Sequence, residues 1–406
     1  MLFGETVLCV APDPWAGLWR NRHQIMTRLA RRNTVIYVEP RVYLSETVRK
    51  VRAGALGRQE LQAPALRHER DGLYIYRDPA YAPYAGRLSG GPLTSAIRRR
   101  ALRGALQSLG VGQPILWLLR PYHADLIGQH DEKLVVYHVT DEYSGFPMIA
   151  DKARFVAAEE ALLRRADLVI VTSPALLAAK GVFNPNTHLV RNGVDYAGFS
   201  AALASGQQLP ALSDSPGALP HPRIGYVGAL NEKVDYALLE QIARAHPDWH
   251  LVLVGTLDLM VHPDRADGLK RLPNVHWLGR VPVEQVPLAI AGMDVCVLPY
   301  ENNAWTANID SLKLYEYLAC GRPIVATDVP AAREFSGLVR IADDAEGFAR
   351  EIAHALAEDP ANLKEARQAA AAANTWDARV AAIETLLIEA LACKQVRQSQ
   401  ASGRAQ

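Results

Sequence analysis

The sequence predicts an α/β protein made of two doubly wound, Rossmann-like domains that face each other across a cleft. Three observations carry that expectation. The chain has 406 residues, too many for one ordinary core. Short apolar, β-branched runs alternate with helical patterns in both halves. Between the halves, residues 200–222 (SAALASGQQLPALSDSPGALPHP) show no apolar period and read as a linker or surface loop.

In the first half the candidate strands are Thr6–Val10, Val35–Val38, Ile115–Leu118, Leu134–Tyr137, Leu168–Val171 and His188–Val190. In the second half they are Arg223–Val227, His250–Val254, Val275–Leu278, Val295–Leu298 and Ile324–Ala326. Helical patterns such as His23–Arg31, Lys152–Arg165, Tyr236–Ala245, Val286–Ala291 and Leu312–Ala319 lie between them. A β-α-β-α order calls for parallel sheets covered by helices on both faces. The expected organisation is therefore a first domain at 1–199, a linker at 200–222 and a second domain at 223–373. A helix at 374–393 then crosses back to the first domain, and 394–406 form a polar, flexible tail. Val380, Ile383, Leu386, Leu387 and Leu391 make the apolar stripe of that helix.

Composition narrows the setting. Apolar residues make up 49% and charged residues 21%, the profile of a soluble globular protein. No apolar run nears the roughly 20 residues that cross a bilayer. The N-terminus lacks a basic leader, so the expectation is a cytoplasmic protein without a signal peptide. Cys9, Cys296, Cys320 and Cys393 are widely spaced and read as buried thiols, not as zinc ligands or disulfides. The overall charge of +1 hides a +10 excess over the first 110 residues, including Arg98, Arg99, Arg100 and Arg103. That excess is either a solvated arginine-rich face or a site for an anionic partner, a membrane surface or a phosphate-bearing acceptor. No nucleic-acid module accompanies it.

The most informative stretch is NIDSLKLYEYLACGRPIVAT, Asn308 to Thr327, which follows the strand-like VCVLPY. Asn308, Asp310 or Ser311 can cap a helix there, and Gly321 with Pro323 ends it. A helix N-terminus offers unpaired N–H groups to a phosphate. Backbone around Asp310, Ser311 and Leu312, with Lys313 in the first turn, can hold a diphosphate. Glu316 shares a face with Lys313 and can accept both hydroxyls of a ribose; alternatively the two form only an i,i+3 surface pair. Gly228, Gly255 and Gly279 each follow a strand, where glycine admits close backbone approach.

This segment and its flanking strands resemble the sugar-nucleotide-binding region of GT-B glycosyltransferases, through Ser311, Lys313, Glu316 and Gly321–Pro323. The resemblance implies that Glu316 is the second of two glutamates and binds the ribose; Asn308 stands where the first is found. It implies diphosphate contacts from the Gly228 loop, where Ala229 replaces an expected arginine and Lys233 lies near the lysine position. It implies base recognition by the backbone at Arg280 and Val281. Asp235 reads instead as a helix N-cap. The opening, APDPWAGLWRNRHQIMTRLARRNTVIYVEP, resembles the start of these enzymes and makes Gly17, Trp19, Arg20 and His23 candidate contacts for acceptor or donor phosphate. Trp15 and Trp19 equally suit aromatic packing.

Sugar transfer needs a group that takes the acceptor hydroxyl's proton. The run KLVVYHVTDEYSGFP brings His138, Asp141 and Glu142 to a strand's carboxyl end. Asp141 is the first candidate base and His138 the second. Otherwise Asp141 caps a turn and His138 is a satisfied polar residue. Asn192 to Phe199, NGVDYAGF, resembles the end of the first domain, with Asn192 and Gly193 as turn residues.

The resemblance thus implies a glycosyltransferase moving sugar from a nucleoside diphosphate sugar, UDP- or GDP-linked, to a glycan or lipid-linked acceptor in bacterial cell-surface polysaccharide synthesis. The expectation includes no metal and no other cofactor. The rival readings are an epimerase or hydrolase of sugar nucleotides and a non-catalytic assembly partner.

Overall fold

The computed structural model describes all residues except 42, 44–47, 50–51, 55–64, 80–81, 83–90, 147–148, 150, 214, 216 and 405–406. Two sheets organise it. The first has eight strands: β1 (Thr6–Val10), β2 (Thr34–Val38), β3 (Leu66–Arg70), β4 (Leu73–Tyr76), β5 (Ile115–Leu118), β6 (Leu134–Val139), β7 (Leu168–Val171) and β8 (Thr187–Leu189). Their order is β3-β4-β2-β1-β5-β6-β7-β8, parallel apart from the antiparallel β3–β4 pair. The second sheet is parallel throughout, in the order β11-β10-β9-β12-β13-β14. Its strands are β9 (Arg223–Val227), β10 (His250–Val254), β11 (Val275–Gly279), β12 (Val295–Leu298), β13 (Ile324–Thr327) and β14 (Arg340–Ala342).

Strands buried on both faces lack polar alternation, and β1 shows why. Val7 and Cys9 pack with Ile25, Met26 and Leu29 of helix Asn21–Leu29 and with Trp376, Val380, Ile383 and Leu387. Leu8 and Val10 point to the opposite face, against Leu102, Leu106, Leu162 and Leu163. The second sheet is sealed in the same way by a single core that includes Tyr226, Leu253, Val297, Leu318 and Phe348.

The last helix, Trp376–Arg404, packs on the first sheet although it follows the second in sequence. Arg28 and Arg31 of the first lobe donate to Asp377 at 3.1 and 2.9 Å, and Lys394 pairs with Asp167 at 2.6 Å. Val380, Ile383 and Leu387 of the expected stripe are buried, with Leu386 and Leu391 half-buried beside them.

Several expectations need correction. The helix continues through 394–404, so most of the expected polar tail is helical. The stretch 200–222 is more ordered than its composition suggested. Its start belongs to helix Tyr196–Ala204, and Leu212 is buried. The buried Arg223 guanidinium gathers the carbonyls of Leu212, Ser213 and Leu219 at 2.6–2.8 Å, a set of bonds that no local periodicity reveals. Cys393 is exposed on the outer side of the last helix, while the other three cysteines are buried. The β3–β4 hairpin and the edge strand β14 lie outside the expected strands; β3, LRHER, is half-exposed and polar and shows no apolar period. Among the described residues no helix is long and apolar enough to cross a membrane.

A buried ion triad braces the end of β6. Lys180 bridges Glu142 and Glu159, each at 2.8 Å, and Tyr137 donates its hydroxyl to Glu159 at 2.7 Å. Glu142 also accepts the Ser144 hydroxyl at 2.7 Å, which fixes the turn after Asp141. Burial opposes the Lys180 charge, but the two carboxylates outweigh it and raise its pKa. Lys180→Met leaves Glu159 buried without a counter-charge, and we expect a loss of about 3–5 kcal/mol in urea unfolding. The double change with Glu159→Gln should recover part of that loss; no recovery would refute the pairing.

Candidate active site

One cavity of about 270 Å³ lies where the carboxyl ends of the two sheets meet. From the first lobe it is lined by Trp19, Arg20 and Asn21 after β1, Arg120 after β5, and Thr140 with Asp141 after β6. From the second it is lined by Gly228 and Lys233 after β9, Gly255 after β10, Arg280 and Val281 after β11, Tyr300 after β12, and Asp310 to Lys313 with Glu316. Strand ends are where open α/β sheets place their ligands.

The second-lobe wall depends on two glycines. Gly228 has φ +138°, and a Cβ there would strike the Lys313 side chain, with Nζ only 2.6 Å away. Gly255 has φ +148°, and a Cβ there would strike the Gly228 carbonyl. Positive φ favours glycine at both positions; at 255 the Gly228 carbonyl also leaves no room for a Cβ, whereas at 228 the neighbour is the end of the Lys313 side chain, which lies across the strand ends. Lys313 is buried, with its ammonium 5.2 Å from the Tyr226 ring centroid. Lys233 sits 5.2 Å from the Tyr300 ring. Its loop is pinned by the Glu301 N–H to the Lys233 carbonyl at 2.8 Å, and Asp235 caps the next helix through Leu238 at 2.9 Å.

Helix Leu312–Ala319 begins at the cavity wall. Ser311 does not cap it through its side chain; the hydroxyl lies 3.3 Å from the Tyr300 phenol instead. Burial raises the Tyr300 pKa, but Lys233 and Lys313 together outweigh it and bring the phenol below its ordinary value. Burial lowers the Lys313 pKa. Burial also pushes the Glu316 carboxyl up to about 7, against the pull of Lys313.

That carboxyl makes apo stability depend on pH. Folded Glu316 keeps its proton to about 7, whereas an unfolded glutamate releases it near 4.5. The folded state is therefore favoured below 4.5 and loses this advantage as pH rises through 7. Glu316→Gln should be more stable than the parent by about 1–3 kcal/mol at pH 8 and converge with it at pH 4. Unfolding curves at both pH values check this; an unchanged gap would show that Glu316 is ionised freely in the fold.

On the first-lobe side, burial raises the Asp141 pKa, opposed by Lys233, Arg120 and Arg20. Thr140 Oγ1 lies 3.4 Å from its carboxylate and 2.7 Å from the Tyr143 hydroxyl. Arg120 stacks on the Tyr143 ring at 3.7 Å.

The two lobes touch around the cavity. The Asn192 N–H donates to Asp310 Oδ2 at 2.5 Å, and its amide donates to the Asp310 carbonyl at 2.7 Å. Tyr315 donates to the other Asp310 oxygen at 2.9 Å. Arg280 donates to the Gly17 carbonyl at 3.0 Å, and Trp305 packs on Phe146 with centroids 4.4 Å apart.

Most of the expected site residues converge here: Asp141, Trp19, Arg20, Gly228, Lys233, Gly255, Arg280, Val281, Asp310, Ser311, Leu312, Lys313 and Glu316. Four lie outside the lining. His138 is buried on the far face of β6, 5.6 Å from the Trp117 ring, and burial lowers its pKa to about 4. His23 is fully buried, bonded to the Trp15 carbonyl at 3.1 Å and accepting the Arg20 N–H at 3.0 Å. Gly17 contributes its carbonyl to Arg280, and Asn308 donates to the Ala304 carbonyl at 2.7 Å. Arg120 and Tyr300 add to the expected set; each stands two residues past a strand, as Asp141 does. Asn192, read as a turn residue, also joins the lobes.

Residues 221–358 match the family model "Glycosyl transferases group 1". The second lobe is thus similar to a group 1 glycosyltransferase domain. A 187-residue segment is 32% identical to "Putative teichuronic acid biosynthesis glycosyltransferase TuaH" of Bacillus subtilis (strain 168). It covers 43% of this chain and 44% of TuaH, so the match spans less than half of that relative's length. Across 96% of the chain, the two lobes superpose on all of sucrose-phosphate synthase from Thermosynechococcus elongatus, with a TM-score of 0.72 at 19% identity. Anabaena HepE in complex with UDP aligns over 95% of this chain and all of its own, with a TM-score of 0.64 at 15% identity. These likenesses give the fold, which is GT-B.

Proposed function

We propose that this protein transfers a sugar from a nucleoside diphosphate sugar to a hydroxyl of a glycan or lipid-linked acceptor in bacterial surface polysaccharide synthesis. The observation that carries this reading is the charge layout of one cavity: two lysines and a helix N-terminus on one wall, and a carboxylate on the other. Lys233, Lys313 and the amides at the start of helix Leu312–Ala319 hold the diphosphate and stabilise its charge as it leaves. Glu316 takes the ribose hydroxyls. Asp141 accepts the acceptor proton, and its raised pKa makes it a stronger base than a solvated carboxylate.

The group 1 domain, the TuaH match and the UDP-bound HepE likeness support this donor class. A thermal-shift screen of UDP, GDP, dTDP and ADP tests it, because a ligand that binds only the folded state raises Tm. A rise with one nucleotide, followed by acceptor-dependent sugar transfer, is expected. No shift with any nucleotide would remove the reading. Release of free sugar or a 2-epimer as the sole native reaction would favour the hydrolase or epimerase reading.

The basic first 110 residues support peripheral association with an anionic membrane surface. Co-sedimentation with phosphatidylglycerol vesicles at low ionic strength, lost at high salt, tests that placement.

A further inference from the structure

Beyond two arginines already engaged within the protein, the cations lining the cavity fall into two sets. Among the described residues, Arg22 is paired with Asp13 at 2.5 Å, and Arg280 is engaged with the Gly17 carbonyl. Lys233 and Lys313 surround Tyr300 on the second-lobe wall, and they match the two negative charges of a nucleoside diphosphate sugar. Arg20 and Arg120 remain, neither in a salt bridge among the described residues.

Arg120 occupies a defined place. It follows β5, the strand between β1 and β6, at the floor of the first lobe's half of the cavity. Arg120 is half-buried, with its guanidinium carbon over the Tyr143 ring, 3.7 Å from the centroid, and with one Nη1 donation at 2.7 Å to the Leu119 carbonyl. Burial disfavours its charge, which Tyr143, Tyr122, Tyr137 and Asp141 support. A guanidinium has five N–H donors, and Arg120 spends one on the Leu119 carbonyl while it lines the cavity, so donors remain to meet a ligand there. Tyr122, 49% exposed, offers a neighbouring ring face. Asp141 stands between the two sets: Lys233, Arg120 and Arg20 are the charges that act on it.

We infer that Arg120, flanked by Arg20, is a subsite for an anionic group, phosphate or carboxylate, carried by the acceptor. The inference rests on the reading of the cavity as a sugar-transfer site. A planar fork suits bidentate binding of either group. Its position beside Asp141, on the wall opposite Lys313, puts that anion on the sugar that receives and not on the one that is given. The acceptor is then a uronic acid or a phosphate-linked sugar.

Calorimetry with defined probes tests this, on the protein alone and on the protein saturated with UDP. The probes are N-acetylglucosamine 1-phosphate against N-acetylglucosamine, and glucuronate against glucose. At least one anionic probe should bind at least about tenfold more tightly than its neutral partner, and the stronger of the two identifies the anion. Arg120→Gln should remove that advantage while moving UDP affinity less than about twofold, which also shows that the variant is folded. Arg20→Gln, at an exposed position, should lose part of the advantage and covers the case in which the first variant does not fold. Equal binding of anionic and neutral probes overturns the subsite. So does an Arg120→Gln variant that loses UDP binding about tenfold, since Arg120 would then serve the donor. If none of UDP, GDP, dTDP and ADP binds while an anionic probe shows the Arg120-dependent preference, the transferase reading falls and the anion subsite stands.

Discussion

Asparagine at position 141 lowers sugar transfer by about 10²–10⁴-fold and leaves nucleoside diphosphate affinity within about twofold. The two side chains have the same shape, so the contact with Thr140 survives, but the amide cannot take a proton. The raised pKa of Asp141 adds a second signature. Below that pKa the carboxyl is already protonated, so the acid limb of kcat/KM should lie above the ordinary carboxylate range. Donor binding should move the limb higher still, because the diphosphate neutralises Lys233, the charge that most favours ionised Asp141. Steady-state rates across pH, with the parent and Asp141→Asn, read both effects. Direct displacement assisted by Asp141 also inverts the sugar's anomeric centre, so a product with retained configuration would remove Asp141 from this role.

Lys313→Met should weaken UDP or GDP binding, whichever is the native nucleotide, by about 10–100-fold, the loss of one charge-assisted hydrogen bond to phosphate. The apo protein should at the same time become more stable. Burial holds the Lys313 pKa below 10.5, so near neutrality the folded state carries the cost of an ammonium removed from water. That cost fades as pH rises through the lowered pKa toward 10.5, and the gap between variant and parent should close with it. Calorimetric titration of nucleotide, paired with unfolding at pH 7 and pH 10, measures both sides. Unchanged nucleotide affinity would show that Lys313 only fills space over Gly228.

Glu316 follows the same logic with the opposite charge. Both groups sit where the fold disfavours their ionised forms, and in the proposed complex the nucleotide would supply partners for each. Perturbed groups gathered in one cleft are a physical mark of a working site. The Lys180 triad is different, since its partners are all protein and it serves to hold the turn that carries Asp141.

The sequence by itself determined eleven of the fourteen described strands and their order. Strand and helix periods are local, so both parallel sheets, the helix beginning at Leu312, and the convergence of strand ends at Lys233, Asp141 and Lys313 were all legible. Polar edge strands such as β3 were not, because an exposed strand has no apolar period to show.

Only the tertiary structure decided which faces are covered and by what. His138 and Asp141 lie three residues apart, yet one is sealed in the core and the other lines the cavity. His138 shares a β6 face with Val136, and that face is closed in part by Trp376, Ile383 and Leu387, more than 200 residues along the chain. Asn192 and Asp310 meet across 118 residues, and Gly228 lies against the end of a lysine side chain 85 positions later. Such contacts depend on how the two sheets dock, and docking is set by the summed burial of both lobes and the last helix, which no local pattern encodes.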